Sequence, residues 1–315
     1  MRQIILLDTQ KLSKRFSQSL ESMFGAHGYY FVSYPTTTIN NIQEHCHEAE
    51  VILVNKDVLT EEHFKLLPNL KYIIVVATGY DNVDVIAAKK YGIKVSNVPN
   101  YATAIVAQHA LALLLELTNK VGFVSDQLQK EGKWYGIRHT HLELSGLTLG
   151  VIGFGSIAQK FITIALALGM EVIVYSRKSS YETNLAVKFV DIETLFKSSD
   201  VISLHCTLNL ETKEIINKDS LNLMKPDALL INVSRGGLIN EDDLSNALRN
   251  KQIGGAGLDV LVTEPANSDN PLLKLDNCVI TPHNAWVSDA ALDRWLKEIL
   301  GYIKGFEENK FTNLV

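Results

Sequence analysis

Short apolar runs alternate with amphipathic stretches along most of this chain. Residues 4–7 read as a first strand. Leu12, Phe16, Leu20 and Phe24 then recur at helical spacing, and Gly25 and Gly28 end that helix. The pattern repeats with a strand at Tyr30–Ser33, a helix over 39–48, and strands at Val51–Val54 and 72–76. Strands alternating with helices predict a parallel sheet covered by helices on both faces. Val98-Pro99-Asn100 breaks the chain, and a single long apolar helix is predicted from Ala102 to about Val124.

A second alternating series starts near Leu147. Residues 149–152 form a short apolar run, Gly153-Phe154-Gly155-Ser156-Ile157-Ala158 follows at once, and 159–168 read as an amphipathic helix. Gly169 ends it before a strand at Glu171–Tyr175. This strand–turn–helix–strand setting is what a dinucleotide-binding fingerprint requires. Gly153 permits the tight turn, Gly155 lets backbone approach a pyrophosphate, and Ala158 takes the third small position, where helix and strand pack closely. The helix N-terminus adds N–H groups and partial positive charge for the phosphates. Val201–Leu204, Leu229–Asn232 and 256–258 read as further buried strands, and Cys278–Ile280 as a strand after them. Leu292, Trp295, Leu296, Ile299 and Ile303 have helical spacing, which predicts a last helix crossing back onto the first domain. The expected fold is α/β with two doubly wound parallel-sheet domains. One spans residues 1–100, completed by 285–315. The other, 101–284, is of Rossmann type and binds the dinucleotide.

Composition adds exclusions. The formal net charge of −5 over 315 residues lacks the basic footprint of a nucleic-acid binder. No apolar run approaches the ~18 residues of a membrane helix, and the N-terminus reads as a strand rather than a leader. Cys46, Cys206 and Cys278 are odd in number and widely spaced, which argues against a disulfide framework and for a cytoplasmic setting. His45-Cys46-His47 invites a metal reading, but i and i+2 residues point to different sides of a helix, so no metal is expected.

Candidate chemistry collects at strand ends, where open α/β sheets bind their ligands. Arg235 follows the strand Leu229–Asn232, Glu264 follows Gly257-Leu258-Asp259-Val260 and precedes Pro265, and His283 follows Cys278–Ile280. An arginine can grip a carboxylate bidentately, a histidine can give a proton near neutral pH, and a carboxylate can orient it. Taken singly, Arg235 could equally cap a turn, Glu264 be solvated, and His283 be a satisfied loop residue. In the first domain, Ala77-Thr78-Gly79-Tyr80-Asp81 offers backbone N–H groups that suit a carboxylate, or simply turns into the next helix.

Together and in this order, these motifs resemble the D-isomer-specific 2-hydroxyacid dehydrogenase family. The resemblance rests on Ala77-Thr78-Gly79-Tyr80-Asp81, the Gly153–Ala158 fingerprint, Asn232-Val233-Ser234-Arg235-Gly236, Gly257-Leu258-Asp259-Val260 with Glu264-Pro265, and Pro282-His283. Val98-Pro99-Asn100-Tyr101 and Thr281-Pro282-His283-Asn284-Ala285-Trp286 look most like glycerate dehydrogenase and hydroxypyruvate (glyoxylate) reductase members. The resemblance implies a flavodoxin-like substrate domain, a Rossmann-type cofactor domain and a cleft between them. It implies that Arg235 binds the substrate's carboxylate and carbonyl, that His283 is the acid/base paired with Glu264, and that Thr78 and Gly79 hold the carboxylate. For the cofactor it implies Gly153, Gly155, Ser156 and Ile157 at the phosphates. His205, Cys206, Thr207, Val233, Ser234 and Asp259 would line the rest, Asp259 near the nicotinamide amide. A homodimer is also implied, with residues 122–139 as a candidate arm.

Two departures from the family pattern matter. Thr207 stands where proline often follows the cysteine, and no acidic residue ends the strand Glu171–Tyr175. Ser176, Arg177 and Lys178 stand there instead, which favours NADP(H) while leaving NAD(H) possible. The expected reaction is hydride transfer between a nicotinamide cofactor and a small 2-keto acid such as hydroxypyruvate or glyoxylate. The alternatives are another 2-keto acid, or a corepressor-like protein that senses the nucleotide on the same scaffold.

Overall fold

The computed structural model describes residues 3–12, 14–132, 134, 140–177 and 182–315. The chain forms two compact units, Met1–Ala102 with Val287–Val315, and Thr103–Trp286.

In the first unit, β1 (Gln3–Leu6), β2 (Tyr30–Ser33), β3 (Val51–Val54), β4 (Tyr72–Val75) and β5 (Lys94–Asn97) pair in the order β2-β1-β3-β4-β5. All pairings are parallel. The helices between them are α1 (Lys14–Ala26), α2 (Ile42–Cys46), α3 (Glu61–Lys65) and α4 (Val85–Lys90). Every residue of β3 and β4 is buried, as expected of parallel strands covered on both faces, which is why both read as unbroken apolar runs. The fifth strand is absent from the apolar pattern because Ser96 and Asn97 are polar yet buried. Ser96 accepts from the Tyr72 hydroxyl at 2.8 Å and donates to the Thr312 carbonyl at 2.7 Å, so its burial leaves no bond unmade. The C-terminal helix Asp289–Glu307 returns to this unit. Its Trp295 is fully buried, meets the Phe16 ring edge-on at 5.3 Å, and donates its indole N–H to the Val76 carbonyl at 2.7 Å.

The second unit opens with two helices where the sequence predicted one. α5 (Thr103–Asn119) and α6 (Val121–Glu131) are separated by Lys120, which is left-handed at φ 53°. The Glu116 carboxylate accepts the N–H groups of Gly122 and Phe123, satisfying two first-turn donors of α6 and fixing the break. Then come β6 (Thr148–Ile152), α7 (Ser156–Ala167), β7 (Glu171–Tyr175), β8 (Lys188–Phe189), α8 (Ile192–Ser198) and β9 (Val201–Leu204). They are followed by α9 (Lys218–Leu223), β10 (Leu229–Asn232), α10 (Glu241–Arg249), β11 (Gly255–Leu258) and β12 (Cys278–Ile280). The parallel sheet runs β12-β11-β10-β9-β6-β7-β8, so the order reverses between β6 and β9, which sets a topological switch point. α7 begins three residues before the amphipathic pattern does, because its first turn belongs to the glycine loop. Among the described residues no helix is long and apolar enough to cross a membrane.

The burial of Trp295 sets an expectation for the first unit. Trp295→Ala should lower its stability by about 3–5 kcal/mol. Trp295→Phe keeps the ring contact but strips the Val76 carbonyl of its donor, for about 1–3 kcal/mol. Urea titration followed by far-UV circular dichroism would order the variants; equal midpoints for all three proteins would contradict this account of the helix anchor.

Candidate active site

The glycine loop leaves β6 at the switch point. Gly153 sits at φ 101°, and a Cβ there would lie 2.6 Å from the His205 carbonyl oxygen. Its N–H donates to the Tyr175 carbonyl, and the His205 N–H donates to the Ile152 carbonyl, both at 2.8 Å. Gly153 is therefore pinned between the ends of β7 and β9, where no side chain fits. Gly155 is different: it is the extended N-cap of α7, and a Cβ there would meet nothing within 4 Å. Ser156 and Ile157 begin the helix behind it. An open backbone turn feeding a 12-residue helix suits a pyrophosphate, so the residues present fit a dinucleotide. Ser176 and the exposed Arg177 follow β7; Lys178 lies outside the described residues.

His205, Cys206 and Thr207 continue from β9. The His205 residue as a whole is half-buried, but its ring is enclosed. Its Nε2 meets the Ser203 hydroxyl at 2.8 Å, and Nδ1 is buried with no hydrogen-bond partner among the described residues. Burial pushes its pKa down to about 4, so the ring is neutral. What His205 presents to the glycine loop is its backbone. Burial likewise raises the Cys206 thiol to about 11. Thr207 is exposed. Val233 and Ser234 follow β10, and Ser234 donates its hydroxyl to the Leu204 carbonyl at 2.9 Å, tying the two strand ends together.

Arg235, Glu264 and His283 follow three adjacent strands, β10, β11 and β12. The His283 Nδ1 and Glu264 Oε2 are 2.5 Å apart, each side chain about a quarter exposed. The Leu261 N–H donates to the other Glu264 oxygen at 3.2 Å. Arg235 is extended at φ −142°, its Nη1 donates to the Ser234 carbonyl at 3.0 Å, and the next residue closes onto the Glu264 loop. A Cβ on Gly236 would lie 2.0 Å from the Leu261 carbonyl carbon, so only glycine allows this approach.

The sequence motifs assign no role to four residues that shape this corner. Asn232, fully buried, accepts the Ser234 N–H at 3.0 Å and donates to the Arg235 carbonyl at 2.8 Å. Glu241, first in α10, accepts the Val262 N–H at 2.6 Å and the Asn270 amide at 2.8 Å. Thr281 donates to Asp259 Oδ1 at 2.6 Å, and His109 on α5 meets the Thr281 hydroxyl at 2.8 Å. A polar residue at a strand end is a signal for the first; the others depend on long-range contact. Asp259 itself, 1% exposed, accepts the N–H groups of Asn284 at 3.0 Å and Ala285 at 2.9 Å. Its carbonyl takes the His283 N–H at 2.7 Å.

Thr78 and Gly79 belong to the first unit and leave the carboxyl end of β4. The Asn97 amide donates to the Thr78 carbonyl at 2.6 Å, and the Thr78 hydroxyl to the Val98 carbonyl at 3.3 Å, which fixes the loop from the neighbouring strand.

Residues 111–285 match the model of the NAD-binding domain of D-isomer-specific 2-hydroxyacid dehydrogenases. The chain is 39% identical to a hydroxypyruvate reductase from Blautia hydrogenotrophica, over 90% of this chain and 91% of the relative. It is 36% identical to a glycerate dehydrogenase from Methylorubrum extorquens, over 89% and 90%. Among solved structures it is similar to an acyclic imino acid reductase in complex with NADPH and D-Arg, with a TM-score of 0.89, 32% identity and 99% of each chain covered.

The enclosed His205 ring predicts a pH dependence of stability. Its pKa lies at about 4 in the folded chain, against the ordinary 6.5 once unfolded. Between these values the unfolded chain binds a proton that the folded chain refuses, so stability falls as pH drops from about 6.5 towards 4, by about 3 kcal/mol in all. His205→Gln keeps a partner for Ser203 and removes the titration. Its unfolding free energy, from urea titrations across that window, should fall less steeply than the parent's; parallel curves would refute the assignment.

Proposed function

The chain belongs to the D-isomer-specific 2-hydroxyacid dehydrogenase family, and from this we propose that it reduces small 2-keto acids, hydroxypyruvate and glyoxylate first, to D-2-hydroxy acids. The observation that carries this reading is the His283–Glu264 pair at 2.5 Å, at the strand end next to the loop that bears Arg235. The names of its relatives support the substrate class.

A bound nicotinamide supplies the hydride. The chain's own residues do the rest. Arg235 offers a planar fork to the substrate's carboxylate and polarises the keto carbonyl. Thr78 and Gly79 add backbone N–H groups to the carboxylate. His283 keeps Nδ1 on Glu264 and so presents its proton from Nε2 to the carbonyl oxygen. Glu264 supplies the countercharge for the imidazolium and is itself fixed by the Leu261 N–H. In the oxidative direction neutral His283 takes the proton back from the hydroxyl.

The family-based dimer is supported by α6, which buries none of its side chains, and by Trp134, 90% exposed just beyond it. Residues 133 and 135–139 of that arm lie outside the described set. Cys46, Cys206 and Cys278 are free thiols, which suits the reducing cytoplasm proposed for the protein.

Steady-state turnover of a panel of 2-keto acids with NADH and NADPH tests the reaction. Hydroxypyruvate or glyoxylate should lead the panel and yield D products. His283→Ala should lose about 10²–10⁴ in rate, and Arg235→Lys should be poor because a point charge replaces a fork. No turnover of any keto acid would favour the nucleotide-sensing alternative. Turnover that appears only when an amine is added would identify an imine as the substrate.

Cofactor choice is a separate expectation. No carboxylate ends β7 to repel the 2′-phosphate, and Ser176 and Arg177 offer a hydroxyl and paired N–H groups. The kcat/KM ratio should favour NADPH. Arg177→Ala should lower that ratio about tenfold or more, mainly through KM for NADPH, since a bond to a charged group contributes about 1.5–3 kcal/mol. Preference for NADH in the parent, or an unchanged ratio in the variant, would exclude Arg177 as the reader of the phosphate.

A further inference from the structure

We infer that His109 is a positioning residue for His283, acting through Thr281 and Asp259. The inference rests on the reading of His283 as the proton donor.

The direction of each bond follows from what the atoms can do. Asp259 is a carboxylate and only accepts, so the Thr281 hydroxyl spends its single proton on Oδ1 at 2.6 Å. Towards His109 that hydroxyl can then only accept. The His109 Nε2, 2.8 Å away, is therefore the donor and carries the proton. The result is a one-way chain, His109 N–H to Thr281 O–H to Asp259, running from α5 to the end of β11. His109 Nε2 also lies 3.5 Å from Asp259 Oδ1 itself.

Asp259 then distributes this order over three consecutive residues. Its carboxylate holds the Asn284 and Ala285 N–H groups, and its carbonyl holds that of His283. His283 sits at φ 51°, a left-handed conformation that costs a non-glycine residue about 1–2 kcal/mol and persists only where neighbours impose it. Without the Thr281 donor, Oδ1 keeps only the Asn284 N–H among its close bonds, and the carboxylate loses the side-chain bond that ties it to α5 through His109. Without His109, the Thr281 hydroxyl loses the donor that aims it. His109 thus stands two hydrogen bonds from Asp259 and three from the N–H groups that Asp259 holds. The helix α5 carries it, so the acid/base loop is referenced to a rigid element rather than to another loop.

Five variants test this: His109→Gln, His109→Leu, Thr281→Ser, Thr281→Val, and His109→Leu with Thr281→Val. Gln places a donor near the imidazole Nε2, and Ser keeps the hydroxyl. His109→Leu and Thr281→Val should each lower kcat for keto-acid reduction about 10- to 100-fold. KM for the keto acid, and Kd for NADPH by fluorescence, should stay within about threefold. The conservative variants should stay within about threefold of the parent kcat. The double variant should be no worse than the worse single one, because both break the same chain. Independently of activity, the Asn284 and Ala285 amides should exchange hydrogen about tenfold faster or more in His109→Leu. If His109→Leu does not fold, Thr281→Val and Thr281→Ser carry the comparison. Unchanged kcat and exchange in the disrupting variants, or losses that multiply in the double variant, overturn the inference. A parent without keto-acid turnover would overturn the functional reading instead, and amide exchange would still decide whether His109 positions the loop.

Discussion

A parallel strand that stops at the carboxyl edge of its sheet leaves backbone groups with no ladder partner, and the rest of this molecule is arranged around satisfying them. Both sheets place their loops at such edges, and at each a buried polar side chain supplies the missing bonds. Asp8, beyond β1, is fully buried and accepts three consecutive N–H groups, from Asn55, Lys56 and Asp57. Burial raises its pKa even against those donors. Asn232 closes the turn that presents Arg235, and Asp259 closes the one that presents His283. The loops are therefore shaped by side chains that do no chemistry of their own in forming them, and the exposed groups inherit their positions.

Coupling between the loops is steric as well as polar. The approach of Gly236 to Leu261 leaves no space for a methyl group, so the Arg235 loop and the Glu264 loop share one backbone contact. Glu241 then fastens the far side of the Glu264 loop through Val262 and Asn270. A displacement of any one of these loops would be felt by its neighbour, because close-packed backbone does not deform smoothly. The arrangement explains how three residues far apart in sequence keep a common geometry.

Much of this was legible beforehand where local rules suffice. The all-buried strands β3 and β4 are unbroken apolar runs, β9 and β10 are apolar at all but one position each, and the spacing of Phe16, Leu20 and Phe24 on α1 matches their burial. Both sheets are parallel, and the chain's family and its hydroxyacid chemistry were legible in five ordered motifs. What escaped has a common cause. β5 hid because Ser96 and Asn97 are buried through bonds to distant residues. The break at Lys120 hid because α5 and α6 are both helical, and only a left-handed residue and the Glu116 cap separate them. His109 looked like one more position on an apolar helix, since its partner Thr281 is 172 residues away. Local periodicity reports burial; it is silent about a polar group whose partner arrives from elsewhere in the chain.

His283 shows the same competition at its sharpest. Glycine would adopt φ 51° without strain, yet histidine stands there. The strain, about 1–2 kcal/mol, is comparable to one or two net hydrogen bonds. The surroundings supply more than that: the Asp259 carbonyl takes the His283 N–H, the Trp286 indole donates to the His283 carbonyl at 3.0 Å, and Glu264 holds Nδ1. Backbone preference is outweighed because three separate contacts demand one conformation, two on the main chain and one on the ring. That over-determination is what a proton donor needs, since a rate set by proton transfer is sensitive to the placement of a single nitrogen. The strained residue and the precise residue are thus the same one, and Asp259 beneath it, holding His283 through its carbonyl and the next two residues through its carboxylate, helps them coincide.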